Sequence, residues 1–235
     1  MSAPFYFKQF SIEQQHCAMK VGTDGVLLGA WTTIKSGNAL DIGCGSGLIA
    51  LMLAQRSQNL IIDAIDVEKN ACFQAEINIG KSKWSSRIAV HHTSLQLFSP
   101  YKTYDLIVSN PPFFVNSYQP PQSERAIARH NEQLSFDDLL IHVIRLLKPE
   151  GIFSLILPVN EAVDFTCNAF SQGLFLNRRC EVKPNLTKAT KRILLEFSKI
   201  KPNTVIEESL TIETEKRHHY TSDYIKLTGN FYLKL

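Results

Sequence analysis

Two short stretches of this chain carry the residue types that can do chemistry. The first is Ser109-Asn110-Pro111-Pro112-Phe113, which follows the apolar run Asp105-Leu106-Ile107-Val108 without a break. A buried strand ending this way presents an amide oxygen, a carbonyl aimed by the fixed φ of proline, and a flat ring. Such a set suits a planar amino group attached to a ring or carbonyl. The exocyclic amine of adenine and the amide of glutamine are poor nucleophiles because their lone pair is delocalised. Two acceptors placed against the two N–H bonds draw the nitrogen toward tetrahedral geometry and free that pair. Asn110 and the Pro111 carbonyl are the candidate acceptors, Pro112 stiffens the bend, and Phe113 stacks on the substrate. No general base is needed before attack on a cationic methyl donor, so positioning and electrostatics carry most of the catalysis.

The second stretch is Leu40-Asp41-Ile42-Gly43-Cys44-Gly45-Ser46-Gly47, between an apolar strand and a helix. Its glycines let the backbone turn tightly and approach a ligand without side-chain obstruction. A dinucleotide fingerprint would place its third glycine at position 48, where Leu48 stands. Glycines at every second position, with Asp41 two residues ahead, suit a cofactor without a pyrophosphate, the turn cupping an amino-acid moiety. Asp66, followed by Val67, ends the next strand and is placed to accept from both hydroxyls of a ribose. Ser94, past the third strand, occupies the topological place of an adenine contact.

These groups need a scaffold that brings strand ends together. Apolar runs alternate with amphipathic stretches. Strands are expected at 39–42, 60–66, 87–91, 104–109, 151–157, 175–182 and 193–199. Helices are expected at 48–56, 68–78, 136–147 and 159–171, with Pro149-Glu150-Gly151 stopping the third of them. Alternation of this kind means crossover connections and a mostly parallel sheet covered on both faces, an α/β class. The stretch 114–135 has little periodicity and reads as a lid or binding loop. One domain is the simplest division, residues 1–38 preceding a core of 39–235.

The bulk properties bound the function. With 44% hydrophobic and 20% charged residues, the 235-residue chain is an ordinary globular one. Its net charge of +3 is compatible with a polyanionic partner without demanding one. Five scattered cysteines, none in a C-x-x-C pair, argue against a zinc site or a disulfide framework and for a reducing compartment. No apolar run reaches the roughly 18–20 residues of a membrane span, and the N-terminus lacks a signal-peptide pattern. A cytoplasmic monomer without a metal is the expectation.

These motifs resemble the class I S-adenosylmethionine-dependent methyltransferases with an Asn-Pro-Pro-aromatic signature. More closely, the chain is similar to the bacterial tRNA1(Val) adenine N6-methyltransferase family. That likeness is carried also by Phe7-Lys8-Gln9-Phe10, by the block Cys17 to Trp31, by Leu48 to Gln55, and by the tail around Tyr220-Thr221-Ser222-Asp223-Tyr224 and Phe231-Tyr232-Leu233. The resemblance implies a Rossmann-like seven-stranded sheet with one reversed strand. It implies S-adenosyl-L-methionine as cofactor and methylation of N6 of the adenine 3′ of the tRNA anticodon. By the motif match, Asp41, Gly43, Gly45 and Gly47 line the methionine end, Asp66 and Val67 the ribose side, and Asn110 to Phe113 the target base. Lys20, Thr23, Asp24, Gly25 and Val26 belong to a segment closing over the cofactor. Phe113 and Ser94 depart from many relatives, which carry Tyr and an acid there.

An RNA partner asks for basic groups. Arg125, Arg129 and His130 follow the catalytic corner, and between 178 and 192 six basic residues face one acid, Glu181. Of these, Arg125, Arg129, Lys188, Lys191 and Arg192 are the candidates for phosphate contacts. The competing enzyme reading is methylation of a protein glutamine amide, which uses the same corner. Such enzymes carry an N-terminal helical domain, whereas only 38 residues precede the first core strand here. A DNA-adenine enzyme lacks a visible target-recognition domain, and a non-catalytic RNA chaperone would not need Asn110.

Overall fold

Continuous rather than alternating apolar runs mark strands buried on both faces, and the central strands of this chain are of that kind. The computed structural model describes residues 3–17, 19–111 and 134–234. A small antiparallel pair, β1 (Phe5–Tyr6) and β2 (Ser11–Ile12), precedes α1 (Thr23–Trp31). Then come β3 (Gly37–Ile42), α2 (Leu48–Arg56), β4 (Leu60–Asp66), α3 (Lys69–Gly80), β5 (Ile88–His92) and β6 (Tyr104–Ser109). After residue 134 follow α4 (Phe136–Leu146), β7 (Leu147–Pro158), α5 (Val159–Ser171), β8 (Phe175–Asn185), β9 (Arg192–Ser198), β10 (Ile206–Glu213) and α6 (Ser222–Thr228).

The strands form one sheet in the order β10-β8-β9-β7-β6-β3-β4-β5, with β9 alone running against the others. Among the described residues this sheet has eight strands, which corrects the expectation of seven. The additional strand, β10, pairs in parallel with β8 at the edge. Successive residues of a strand serve opposite faces: Leu106 and Val108 join one buried cluster, Ile107 the other. The first cluster also takes Phe7, Phe10, Ile12, Leu27, Leu28 and Trp31, so the residues ahead of β3 pack into the core. The second is built under α4 and α5.

One boundary differs instructively. Leu147 begins β7 rather than ending the helix, and Lys148–Gly151 form a bulge inside that strand. Tyr104 pairs with Leu147 while Leu106 pairs with Ile152, so the proline sits where the ladder needs no donor.

A polar network bolts α1 to the far half of the sheet. Glu196, 3% exposed, accepts from Thr33 N at 2.6 Å, Thr33 Oγ1 at 2.9 Å and Ser154 Oγ at 3.1 Å. Arg178 lies 3.7 Å from it, grips Glu208 through two nitrogens and stacks 4.2 Å over the Trp31 ring. Removing one member of a buried charged network leaves the rest unpaired, so Glu196→Ala is expected to destabilise the fold by about 3–5 kcal/mol, read from the urea midpoint.

Candidate active site

The glycine loop starts where β3 ends. Gly43, Gly45 and Gly47 have φ of 70°, 54° and 80°, left-handed values that a side chain resists. A Cβ built on Gly43 or Gly45 meets nothing within 4 Å, so both face open space, whereas at Gly47 it would crowd Ile79 and Ala75 of α3. The loop is sewn to the end of β4. Gly43 N and Cys44 N donate to the Ile65 carbonyl at 2.9 and 3.0 Å, and Gly45 N donates to Asp66 Oδ2 at 2.8 Å.

Two carboxylates border this cradle in different states. Asp41 is fully buried; its Oδ2 accepts from Ala50 N at 3.1 Å, and its Oδ1 has no partner among the described residues. Burial, reinforced by the nearby charge of Asp66, pushes its carboxyl up to about 7. Asp66 is partly exposed and takes one N–H on each oxygen, from Gly45 and from Glu68 at 2.9 Å. A carboxylate has about four acceptor positions, so two remain for a vicinal diol.

Asn110 follows the last residue of β6. Ser109 is in register with Ile42 and donates its hydroxyl to the Ile42 carbonyl at 3.0 Å, which sets Asn110 beside Gly43 on one edge of the sheet. The Asn110 Oδ1 is buried and lacks a hydrogen-bond partner among the described residues. Leaving a buried acceptor unpaired costs about 1–3 kcal/mol, and the atom is available to a ligand's N–H. Pro111 is buried next to it. Pro112, Phe113, Arg125, Arg129 and the loop reading of 114–135 lie outside the described residues up to position 133.

The segment before α1 differs from its expected role in detail. Lys20 donates to the Gln14 carbonyl and, at 3.0 Å, to that of Cys17, closing a loop of its own backbone. Thr23 opens α1, and Asp24 is paired with Arg192 at 2.7 Å. Gly25 packs toward Leu48, and Val26 is completely buried in the core. The side of Gly25 that a Cβ would occupy is closed by Leu48, and the Val26 side chain belongs to the core. Val67 is 56% exposed just past Asp66. Ser94 caps a turn, its Oγ accepting from Leu97 N at 3.3 Å.

Of the basic candidates, Arg192 opens β9 opposite Pro158, the last residue of β7, so the β8–β9 hairpin projects from the same sheet edge as Asn110. Lys188 and Lys191 are exposed on that hairpin. Arg178 and Arg179 of the same run are tied to Glu208 and Glu181. The sequence missed a second layer: Gln74 and Asn78 of α3, both 1% exposed, bond to the loop formed by residues 13–21.

The cradle therefore fits S-adenosylmethionine: open space over two glycines, an acid with spare acceptors at the ribose position, and a buried acid with an orphan oxygen. Asp66→Ala removes both the loop tether and the diol acceptor. Its cofactor affinity is expected to fall about 30–100-fold, at about 1.4 kcal/mol per tenfold, in titration calorimetry.

The family model described as Methyltransferase small domain matches residues 17–151. The tRNA1(Val) (adenine(37)-N6)-methyltransferase of Trichodesmium erythraeum (strain IMS101) is 48% identical over 235 residues, covering 98% of each chain. The enzyme of the same name from Bacteroides fragilis (strain YCH46) is 46% identical over the whole of both chains. Among solved structures, a predicted O-methyltransferase from Agrobacterium tumefaciens superposes with a TM-score of 0.67 at 16% identity, over 88% of this chain and 96% of that one. The glycopeptide N-methyltransferase MtfA, solved with S-adenosyl-L-methionine, superposes at 0.55 and 12% identity, over 76% and 95%. At such identities these two likenesses speak for the fold.

Proposed function

The chain belongs to the methyltransferase small-domain family and, within it, to the tRNA1(Val) (adenine(37)-N6)-methyltransferases; from that premise we propose how its residues perform the reaction. It is an S-adenosyl-L-methionine-dependent enzyme that methylates N6 of an adenine in tRNA. The family name specifies adenine 37 of tRNA1(Val), which we take as the substrate. The cofactor supplies an electrophilic methyl group on a sulfonium. Asp41 and the loop Gly43–Gly47 hold its methionine end, and Asp66 holds its ribose hydroxyls.

Asn110 Oδ1 and the Pro111 carbonyl accept the two N–H bonds of the adenine amine, and Phe113 stacks on the purine. With its lone pair so freed, the nitrogen would take up the methyl group the cofactor supplies, the S–CH3 bond breaking as N–CH3 forms and leaving a neutral thioether, and the surplus proton would pass to solvent. The observation that carries this assignment is the buried Asn110 Oδ1 beside the glycine loop, without a partner among the described residues. An adenine in an anticodon loop reaches such a pocket by leaving its stack. Lys188 and Lys191 on the hairpin, with Arg125 and Arg129 after the corner, are proposed to neutralise tRNA phosphates. Arg192, already paired with Asp24, is proposed to orient that hairpin rather than to grip phosphate. A tRNA substrate supports a cytoplasmic setting.

The test uses labelled cofactor with unmodified tRNA1(Val) and with a transcript carrying guanine at position 37. N6-methyladenosine in the digest of the first alone supports the assignment. Label on a protein glutamine in an extract, with none on RNA, would select the glutamine-amide reading.

A further inference from the structure

Residues 13–17 and 19–21 are tied to α3, and through Asn78 to the glycine loop, by amide hydrogen bonds and by the Lys81–Glu13 ion pair. Within the loop, Val21 N donates to Gln14 Oε1 at 2.8 Å, and Lys20 bridges the carbonyls of Gln14 and Cys17. The loop is thus a closed unit with its own staples. Its attachment runs through α3. Asn78 Oδ1 accepts from Glu13 N at 2.9 Å, and Asn78 Nδ2 donates to the Glu13 carbonyl, also at 2.9 Å. The other Nδ2 hydrogen reaches the Ser46 carbonyl at 2.9 Å, between Gly45 and Gly47. Gln74, one helical turn earlier, accepts from His16 N at 3.2 Å.

One side chain therefore joins the N-terminal loop to the glycine loop directly, with all three of its hydrogen-bonding functions in use. Cys17, in the middle of this stretch, is buried, and its burial, with the charge of Asp66 adding to it, pushes the thiol up.

We propose that Asn78, assisted by Gln74, is a positioning clasp that fixes the stretch 13–17 as a wall of the S-adenosylmethionine cleft and so sets cofactor affinity. The inference rests on the methyltransferase reading of that cleft. The clasp touches neither the adenine nor the reacting atoms, so it acts on cofactor binding and not on methyl transfer once the cleft is filled. Buried amides suit the role, because each bond has a fixed direction and breaking it strands a partner away from water.

The experiment pairs Asn78→Ala with Gln14→Ala, the second loosening the loop without touching the buried helix. Amide exchange, cofactor calorimetry and steady-state kinetics are read on each folded variant. In Asn78→Ala, the Glu13 amide is expected to lose at least about 100-fold of its protection as the loop opens locally. The cofactor Kd is expected to rise about 10–30-fold, the equivalent of one or two hydrogen bonds. Turnover at saturating cofactor and the KM for tRNA stay within about twofold. Gln14→Ala shifts Kd in the same direction and less.

Lost Glu13 protection with an unchanged Kd in either variant overturns the proposal. So does a fall in saturated turnover without a change in Kd. Failure of the wild-type protein to bind S-adenosylmethionine at all would instead sink the cofactor reading, which separates the two outcomes.

Discussion

Replacing Asn110 by alanine is expected to lower kcat for methyl transfer by about 10³-fold, while the cofactor Kd stays within about tenfold of wild type. The asymmetry follows from where the atom sits. Asn110 Oδ1 is already buried, without a partner among the described residues, and held by a strand whose preceding residue is bonded to Ile42. The backbone that carries it is therefore fixed before substrate arrives, which limits the reorganisation needed at the moment of reaction. The bond to the amine hydrogen strengthens only as the nitrogen pyramidalises, so its loss falls on the transition state. On the proposed reading the cofactor is held by Asp41, Asp66 and the glycine loop, and among the described residues no hydrogen bond joins Asn110 to any of them. Asn110→Asp keeps an acceptor oxygen and should fall between the two. Single-turnover assays at saturating cofactor, with calorimetry on the same protein, check both halves. Wild-type turnover in the alanine variant would remove Asn110 from the mechanism.

The parts legible in the sequence are those whose signal is local. The bounds of α2, β4, β6 and α5 coincide with the expected 48–56, 60–66, 104–109 and 159–171, because each is a continuous apolar or amphipathic run between clear breaks. The glycine loop and the Asn-Pro corner are local too, and the sheet register brings them side by side. The extent of α1 was hidden because its residues from Gly25 to Trp31 are all buried and show no polar face. At β10, only Leu210 is fully buried in an acid-rich edge strand, so period-two alternation is faint.

A count of charges along the chain does not show which of them are paired. Arg178 and Arg192 meet acids far along the chain, Glu208 and Asp24, and only the fold brings them together. The clasp was invisible for the same reason: Glu13, Ser46 and Asn78 are distant in sequence and carry no net charge as a group at the contact, which is made by backbone and amide atoms.

Cofactor binding is expected to depend steeply on pH through Asp41. Its carboxyl, pushed by burial up to about 7, is largely protonated in the free protein below neutrality. A group whose folded pKa exceeds the unfolded value, about 3.9 for Asp, holds its proton more tightly when folded. Its contribution to stability is thus present at low pH and is lost as pH rises from about 4 through about 7. A cationic ligand end reverses that preference, since it binds the ionised carboxylate. Affinity should therefore fall about tenfold per pH unit below 7, reaching about 100-fold at pH 5. Above about pH 8 the ligand's own α-amino group begins to lose its charge, so the optimum lies between those limits. Asp41→Asn keeps an oxygen for Ala50 N and cannot ionise; it should bind more weakly at pH 7.5 and lose the acidic limb. On this reading Oδ1, without a partner among the described residues, is the atom that meets the cation, and its titration sets the pH slope. A wild-type affinity that stays level between pH 5 and 7 would show that Asp41 does not meet the cofactor's positive charge.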